Sequence, residues 1–233
     1  MTNTRTVSDA KRTFYSLHTR PINSIYRRVV DELMVEMHLL TVNHDFAYSP
    51  IYALGVVTSF DRFMQGYRPD SDLTSIFTAL CKSVESDPSQ LRQDHDRMRS
   101  AVSGLTWESL TSGNLSGDLQ TAMQAVASNA KFKYSRLFAI GLYTLLEAID
   151  SEKLKDKDAR NAALEGVAKA LNLSGEKIQK DLEIYQGNLE KMVAAQAVMA
   201  DILAADRKKR EQREQEKAAA PKAEEHKSEI TPV

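Results

Sequence analysis

The sequence predicts an all-α fold, in which a multi-helix bundle carries a long, coiled-coil-like C-terminal helix that projects from it. Glycine and proline are scarce, with nine and six among 233 residues, whereas strand-rich folds need turn residues at short intervals. Apolar residues make up 42% of the chain and charged residues 27%, a balance that supports a sizeable core. Apolar side chains also recur at three- and four-residue steps, which is the period of an amphipathic helix.

The first two helices are expected between residues 8 and 42. Ser8 suits the N-cap of a short helix that ends near residue 18, and Pro21 suits the first position of a second helix. Arg28 and Glu32 lie one turn apart on this second helix and can form an ion pair on its solvent face. Its apolar face is expected to comprise Ile22, Ile25, Val29, Leu33, Met37 and Leu40.

Two later helices are expected at the centre of the bundle because they lack a polar stripe. The third helix is expected from Pro50 to Gln65, between the cap residue Ser49 and the terminator Gly66, and its first half is apolar on all sides. The segment from about residue 133 to 150 has the same character. The β-branched run at residues 56–58 leaves a buried strand as an alternative for the third element.

Smaller elements complete the bundle, separated by turn signals. The clearest loop is the Gly/Ser/Asn-rich stretch at residues 111–117, and residues 153–158 form a charged connector. The remaining predicted helices run from Asp70 or Ser71 to about residue 84, from a capping box at Asp87 to residue 103, around Trp107, over 118–128 and from the connector to about residue 171.

The chain is expected to divide into a helical bundle domain (residues 1–173), a long C-terminal helix (174–217) and a disordered tail (218–233). Apolar positions of the long helix alternate four- and three-residue steps, so residues 174–205 are predicted to pack along this heptad seam. Residues 206–217 lack apolar side chains and form a charged extension. The heptad seam can pack either on the bundle of its own chain or on a second copy of the chain. The seam consists of Ile178, Leu182, Tyr185, Leu189, Met192, Gln196, Met199 and Leu203.

Composition and motifs argue against several functional classes. The net charge of −1 provides no global basic field for nucleic acid, so no nucleic-acid partner is expected. The single cysteine, Cys81, cannot form an internal disulfide. The chain has no GxGxxG or GxxxxGK loop and no GxSxG elbow, and none of its histidines completes a Glu-x-x-His motif. We therefore expect no cofactor, no metal and no catalytic residue, although one sequence cannot exclude a dispersed Ser/His/Asp triad.

Two histidine groups could in principle hold a metal ion. Residues 94–96 read Asp-His-Asp, but consecutive helical positions point in different directions, which favours a solvated helix surface. His38 and His44, with Asp45, flank a helix end and could meet on a zinc ion, but a capped turn is the favoured interpretation.

The densest basic cluster lies on the charged extension and is the predicted partner-binding site. Four consecutive cations can hold phosphate or an anionic lipid surface. Glu211, Glu214 and Glu216 follow and oppose that attraction, which favours a solvated or partner-facing helix. The candidate residues are Arg207, Lys208, Lys209, Arg210 and Arg213.

Much of the N-terminal sequence resembles the thylakoid formation protein family of cyanobacteria and chloroplasts. The resemblance rests on RTVSDAKRTFYSLHTRPINSIYRRVVDELMVEMHLL (5–40), SPIYALGVVTSFDRFMQGY (49–67), LTWE (105–108) and YSRLF (134–138). Beyond residue 151 only the architecture is similar, namely a long C-terminal helix. The polar residues 1–12 predict no secretory signal or transit peptide, which suggests a cyanobacterial member or a mature plastid form.

The resemblance implies a non-enzymatic accessory or assembly factor. Such a factor would support the accumulation or stability of the FtsH membrane protease complex, and so photosystem II biogenesis and repair, with photosystem II components as further partners. It would make peripheral contact with the cytoplasmic side of the thylakoid membrane, or the stromal side in a plastid. The alternative is a peripheral lipid-binding protein that shapes or organises thylakoid membranes.

Overall fold

The computed structural model describes the backbone of residues 5–219 and the side chains of residues 5–215. In that range the chain is helical and contains no strand, which confirms the predicted class and excludes the buried strand at residues 56–58. Most of the predicted tail, residues 220–233, lies outside the described residues. The α-helices are α1 (Val7–Leu17), α2 (Ser24–Thr41), α3 (Pro50–Phe63), α4 (Leu73–Ser83), α5 (Pro88–Ala101), α6 (Trp107–Ser112), α7 (Gly117–Ala127), α8 (Arg136–Ile149), α9 (Lys157–Ala170) and α10 (Gly175–Ala219).

Helices α3 and α8 form the centre of the bundle, as predicted. Residues 51–60 and 137–146 are buried without interruption. The two backbones touch at a pair of glycines: a Cβ on Gly55 would lie 1.7 Å from the carbonyl oxygen of Leu137, and one on Gly141 would lie 2.0 Å from that of Ile51. No side chain fits in either place, so this close approach requires glycine at both positions.

The other helices of the bundle cover this central pair. Helix α5 packs along α3, α1 packs on α4, and α6 packs on α9. The indole N–H of Trp107, at the start of α6, donates to the carbonyl oxygen of Leu146 at 2.9 Å and so anchors α6 to the end of α8. The Arg92 guanidinium of α5 lies 4.3 Å from the ring centroid of Phe77 on α4.

Two predicted helix starts are wrong by a few residues. Thr6 caps α1 in place of Ser8, because Asp9 lies three residues after Thr6 and completes a reciprocal capping box with it. Lys11, which lies three residues after Ser8, has no acceptor for that role. Helix α2 starts at Ser24 rather than Pro21, because the Asn23 side chain accepts from the backbone N–H of Ile25 at 3.2 Å.

The predicted start at Asp70 or Ser71 also needs correction. Asp70–Asp72 is a 3-10 turn that leads into α4 at Leu73. The buried Asp72 carboxylate accepts from the Arg20 guanidinium and caps no helix. The predicted loop at 111–117 starts later, because α6 continues to Ser112 and ends at Gly113, whose φ of 73° suits glycine.

The structure divides into two units, one ending at Met192 and one beginning at Val193, both of which include part of α10. In the first unit, Ile178, Leu182 and Tyr185 of the heptad seam are buried. Tyr134 donates to the Asp181 carboxylate at 2.7 Å, and the Gln186 amide donates to the Tyr143 hydroxyl at 3.1 Å. Apolar burial and half-buried polar contacts therefore together hold this part of α10.

Candidate functional site

Residues 193–205 of α10 form an apolar segment that begins the second unit. Eleven of these thirteen residues are apolar, the exceptions being Gln196 and Asp201, so no face of the helix is polar along its length. Val193 and Leu203 are 64% and 62% exposed, and Val198 and Ile202 are also more than half exposed. A helix that is apolar all round is normally covered by neighbours. We call residues 193–205 the exposed apolar segment.

The predicted basic cluster follows directly on the same helix. Its five side chains are exposed. Arg207 donates to the Glu211 carboxylate at 3.0 Å, an ion pair of the type expected from charges one turn apart. Among the side chains described up to residue 215, Arg210 and Arg213 lie within ion-pair distance of no carboxylate.

The helix brings only part of the predicted cluster to one side. Successive helical residues are about 100° apart, so Arg210 lies about 20° round the axis from Leu203. Arg207 lies about 40° and Arg213 about 80° from Leu203. Lys208 lies about 140° from Leu203, and Lys209 about 120°. The seam spacing continues from Leu203 through Asp206 to Arg210 and Arg213. Glu214 lies only about 20° from Leu203, so this side of the helix carries charges of both signs.

The prediction of a solvated surface at residues 94–96 is wrong for two of the three. Asp94 and His95 are buried, and only Asp96 is exposed. Tyr48 donates to the Asp94 carboxylate at 2.5 Å, and Arg97 donates to the same group. Burial and the Asp94 hydrogen bond raise the pKa of Tyr48. The Tyr48–Asp94 hydrogen bond therefore connects the loop before α3 to α5.

His38 and His44 lie in different environments, which favours the capped turn over a zinc site. His38 is buried in α2, whereas the ring of His44 is fully exposed. The turn is held by Asn43, whose side chain accepts from the backbone N–H of Asp45 at 3.0 Å. Over the described residues as a whole, no three histidine, cysteine or acidic side chains are grouped as metal ligands.

A polar cavity of about 220 Å³ lies between the end of α1 and the start of α4. His18 is buried there, with Nδ1 3.0 Å from the Ser75 hydroxyl and Nε2 without a hydrogen-bond partner. Asp72 also lines the cavity, but its carboxylate accepts from the Arg20 guanidinium. A triad needs a carboxylate to orient the histidine, and no described carboxylate is hydrogen-bonded to His18. Sequence reasoning missed the cavity because packing of α1 on α4 creates it.

None of the described helices combines the length and the apolar character needed to cross a bilayer.

Comparisons with known proteins agree over most of the chain. A model of a family described as thylakoid formation protein matches residues 6–214. Protein Thf1 of Nostoc punctiforme is 58% identical over 226 residues, covering 94% of this chain and 96% of that relative. Protein Thf1 of Trichormus variabilis is 59% identical over 219 residues, covering 91% and 94%. A solved structure of Psb29 matches with a TM-score of 0.77 and 44% identity, covering 88% of this chain and 98% of that chain.

Proposed function

Because the chain belongs to the thylakoid formation protein family, we propose that it is a non-enzymatic accessory factor that acts at the thylakoid membrane in photosystem II biogenesis and repair. The observation that carries this proposal is the exposed apolar segment, since its four large exposed side chains gain free energy when a partner covers them. The helix must also be ordered at an entropic cost, which a partner would offset. Both points favour binding as the activity of this helix.

The proposed partner is the FtsH-type membrane protease complex, whose accumulation or stability the protein would support. Photosystem II components are proposed as further partners. The exposed basic cluster, Arg207, Lys208, Lys209, Arg210 and Arg213, supplies charge next to the apolar segment. Apolar anchors beside charged groups are the usual composition of a protein-binding surface.

Purified FtsH complex and C-terminal truncations test this proposal. Truncation after Ala205 removes the charged extension and should weaken capture of the protease, while thermal unfolding of the bundle is unchanged. Truncation after Lys217 removes only residues 218–233 and provides the matched control. If the Ala205 truncation binds as tightly as the full chain, the extension does not contribute and the proposed site is wrong.

The second candidate function is direct binding to anionic lipid, and the exposed basic cluster favours it. Each Lys or Arg near an anionic surface contributes about 1 kcal/mol, and the attraction decays over about 8 to 10 Å at physiological ionic strength. Sedimentation with anionic vesicles at low salt, abolished by high salt, is the expected result. Absence of sedimentation at low salt, with neutral vesicles as the reference, would exclude it.

We propose that the protein sits peripherally on the cytoplasmic face of the thylakoid membrane, or on the stromal face in a plastid. Family membership supports the membrane assignment. Release from isolated thylakoids by a salt wash, and digestion by protease added to the outer face, are the expected results. Retention after the wash, or protection from protease, would contradict the proposed location.

A further inference from the structure

The loop between α7 and α8 presents two lysines to solvent. The Asn129 side chain accepts from the backbone N–H of Lys131 at 3.0 Å, which fixes the turn that follows α7. Beyond this turn the side chains alternate, as is typical of extended backbone. Phe132 is half-buried, with its ring centroid 4.9 Å from that of Phe138, whereas Lys131 and Lys133 are exposed. Packing of the phenylalanine therefore directs both lysines outward.

A third exposed lysine comes from the first turn of α10. The Lys177 ammonium lies 4.8 Å from the ring centroid of Tyr134, the residue after Lys133. The Asn172 amide, just before α10, donates to the carbonyl oxygen of Ala127 at 3.1 Å. These contacts hold the start of α10 beside the loop, within the first unit. We call Lys131, Lys133 and Lys177 the lysine patch.

Carboxylates in the same region do not cancel the charge of the lysine patch. Glu165, which lies against Gly175, is half-buried, whereas the three lysines are exposed. In the part of the chain that the structure describes, no carboxylate lies within ion-pair distance of the three lysines. The exposed surface is therefore positive. The other nearby carboxylates have donors of their own: Glu36 accepts from Arg136, Glu176 from Lys180, and Asp181 from the Tyr134 hydroxyl.

The composition of the lysine patch favours a membrane surface over a protein as its partner. Protein interfaces are depleted in lysine and bury apolar or aromatic anchors at their centre. Residues 128–181 are all described, and none of their large apolar side chains is exposed. Lysine is a compact, hydrated point charge, which suits attraction to a charged surface more than a paired contact. The positive ends of α8 and α10 lie at the same place and add to this attraction.

We propose that the lysine patch is the surface through which the helical bundle contacts anionic lipid headgroups. This inference rests on the proposed peripheral location and adds to it the residues that make the contact. It differs from the second candidate function, which places lipid binding on the basic cluster of α10. Because the lysines act through exposed charge, salt should weaken the contact.

Two triple variants with the same charge change separate the lysine patch from general attraction. The patch variant replaces each lysine of the patch by glutamine. The matched control, Arg27→Gln with Lys82→Gln and Arg99→Gln, removes three exposed positive charges from α2, α4 and α5. A third variant replaces the patch lysines by arginine and so keeps their charge. Thermal unfolding by circular dichroism verifies that all three variants retain the fold.

Each full-length variant is sedimented at low salt with phosphatidylcholine vesicles that contain phosphatidylglycerol as the anionic lipid. We expect the patch variant to lose about tenfold or more in vesicle affinity, because each lysine near an anionic surface adds to the attraction. The control and the arginine variant should stay within about twofold of the unaltered chain. Equal losses in the patch variant and the control, or no loss in the patch variant, would overturn the inference.

Binding of the same variants to detergent-solubilised FtsH complex separates this inference from the proposed function. The patch variant should bind the complex as tightly as the unaltered chain does. Loss of this binding in the patch variant alone would assign the lysine patch to a protein and overturn the lipid contact, with the proposed function still in place. If truncation after Ala205 abolishes vesicle binding and the patch variant does not, the lipid contact belongs to α10 and the inference fails. If the unaltered chain binds no anionic vesicles, the inference also fails, whereas capture of FtsH by the truncated chains still decides the proposed function.

Discussion

The central helix pair and the exposed apolar segment share one sequence property and differ in environment. Residues 51–57 of α3 and residues 193–205 of α10 both lack a polar stripe. The first stretch is wholly buried against α8 and α5, whereas four large side chains of the second are more than half exposed. The difference shows that a helix apolar on all sides is expected to be buried, but the pattern does not say whether its own chain or a partner buries it.

The two stretches also differ in the size of their side chains. The central helix carries Ile51, Tyr52 and Leu54, which fill a core, and uses glycine where the backbones touch. The exposed apolar segment contains six alanines, so each turn presents little apolar area. Alanine also has the highest helix propensity, which keeps such a segment helical without tertiary packing. The following predictions test this contrast, starting with the largest expected effect.

Substitution of the central glycines should have the largest effect on stability. In Gly55→Ala or Gly141→Ala the new Cβ would overlap a backbone carbonyl, which cannot move aside as a flexible side chain can. We expect a loss of about 3 kcal/mol or more, at the upper end of overpacking effects. Urea unfolding monitored by circular dichroism measures it.

Gly187→Ala is the matched control for this prediction. Gly187 lies inside α10, and a Cβ there would meet no atom within 4 Å. The same substitution should therefore stabilise the helix by about 0.5 to 1 kcal/mol. A loss at Gly187, or no loss at Gly55, would contradict the assigned packing.

Two leucines at equivalent seam positions should respond differently to substitution by alanine. Leu182 is 3% exposed and Leu203 is 62% exposed, although both lie on α10. Leu182→Ala should cost about 2 to 3 kcal/mol, because a buried side chain leaves a cavity. Leu203→Ala should stay within about 0.5 kcal/mol. Thermal unfolding of the two variants compares them directly, and equal losses would mean that the seam is covered over its whole length.

Removal of one hydrogen bond at the end of α8 should have an intermediate effect. Trp107→Phe deletes the indole N–H that donates to the Leu146 carbonyl, which then keeps the backbone N–H of Asp150 as its donor. We expect a loss of about 1 to 2 kcal/mol by chemical denaturation. An unchanged midpoint would show that α6 is held to α8 by apolar contact alone.

Polar replacement within the exposed apolar segment should have the smallest effect. Val198→Gln with Ile202→Gln changes two side chains that are more than half exposed, so the unfolding free energy should stay within about 0.5 kcal/mol. Calorimetry checks this value. A loss above 1 kcal/mol would show that the segment is buried in solution and would remove the argument for a partner.

Helix pattern and turn residues predicted most of the fold, since cap residues and apolar spacing act locally. The all-round apolar character of α3 and α8 identified the core helices before any contact was known. The start of α1 was wrong because the capping box depends on a pair, Thr6 and Asp9, and Ser8 alone satisfied only half of that rule.

Residues that depend on distant contacts were not predictable in this way. Asp94 and His95 lie in a charged run and looked solvated, but Tyr48 and Arg97 supply hydrogen bonds that allow Asp94 to be buried. The cavity at His18 arises from two segments more than fifty positions apart. The heptad pattern continues without a break from Leu182 to Leu203, and only the structure shows that Leu182 is buried whereas Leu203 is exposed.

The paired glycines at the crossing of α3 and α8 also restrict how this sequence can evolve. Each missing methyl group faces main chain of the opposite helix, so no smaller neighbouring side chain could make room for it. A mutation at either position would therefore find no second-site suppressor among core residues, and relief would require the two helices to separate. Comparison of relatives should find both positions fixed as glycine together, even where the surrounding apolar residues exchange freely.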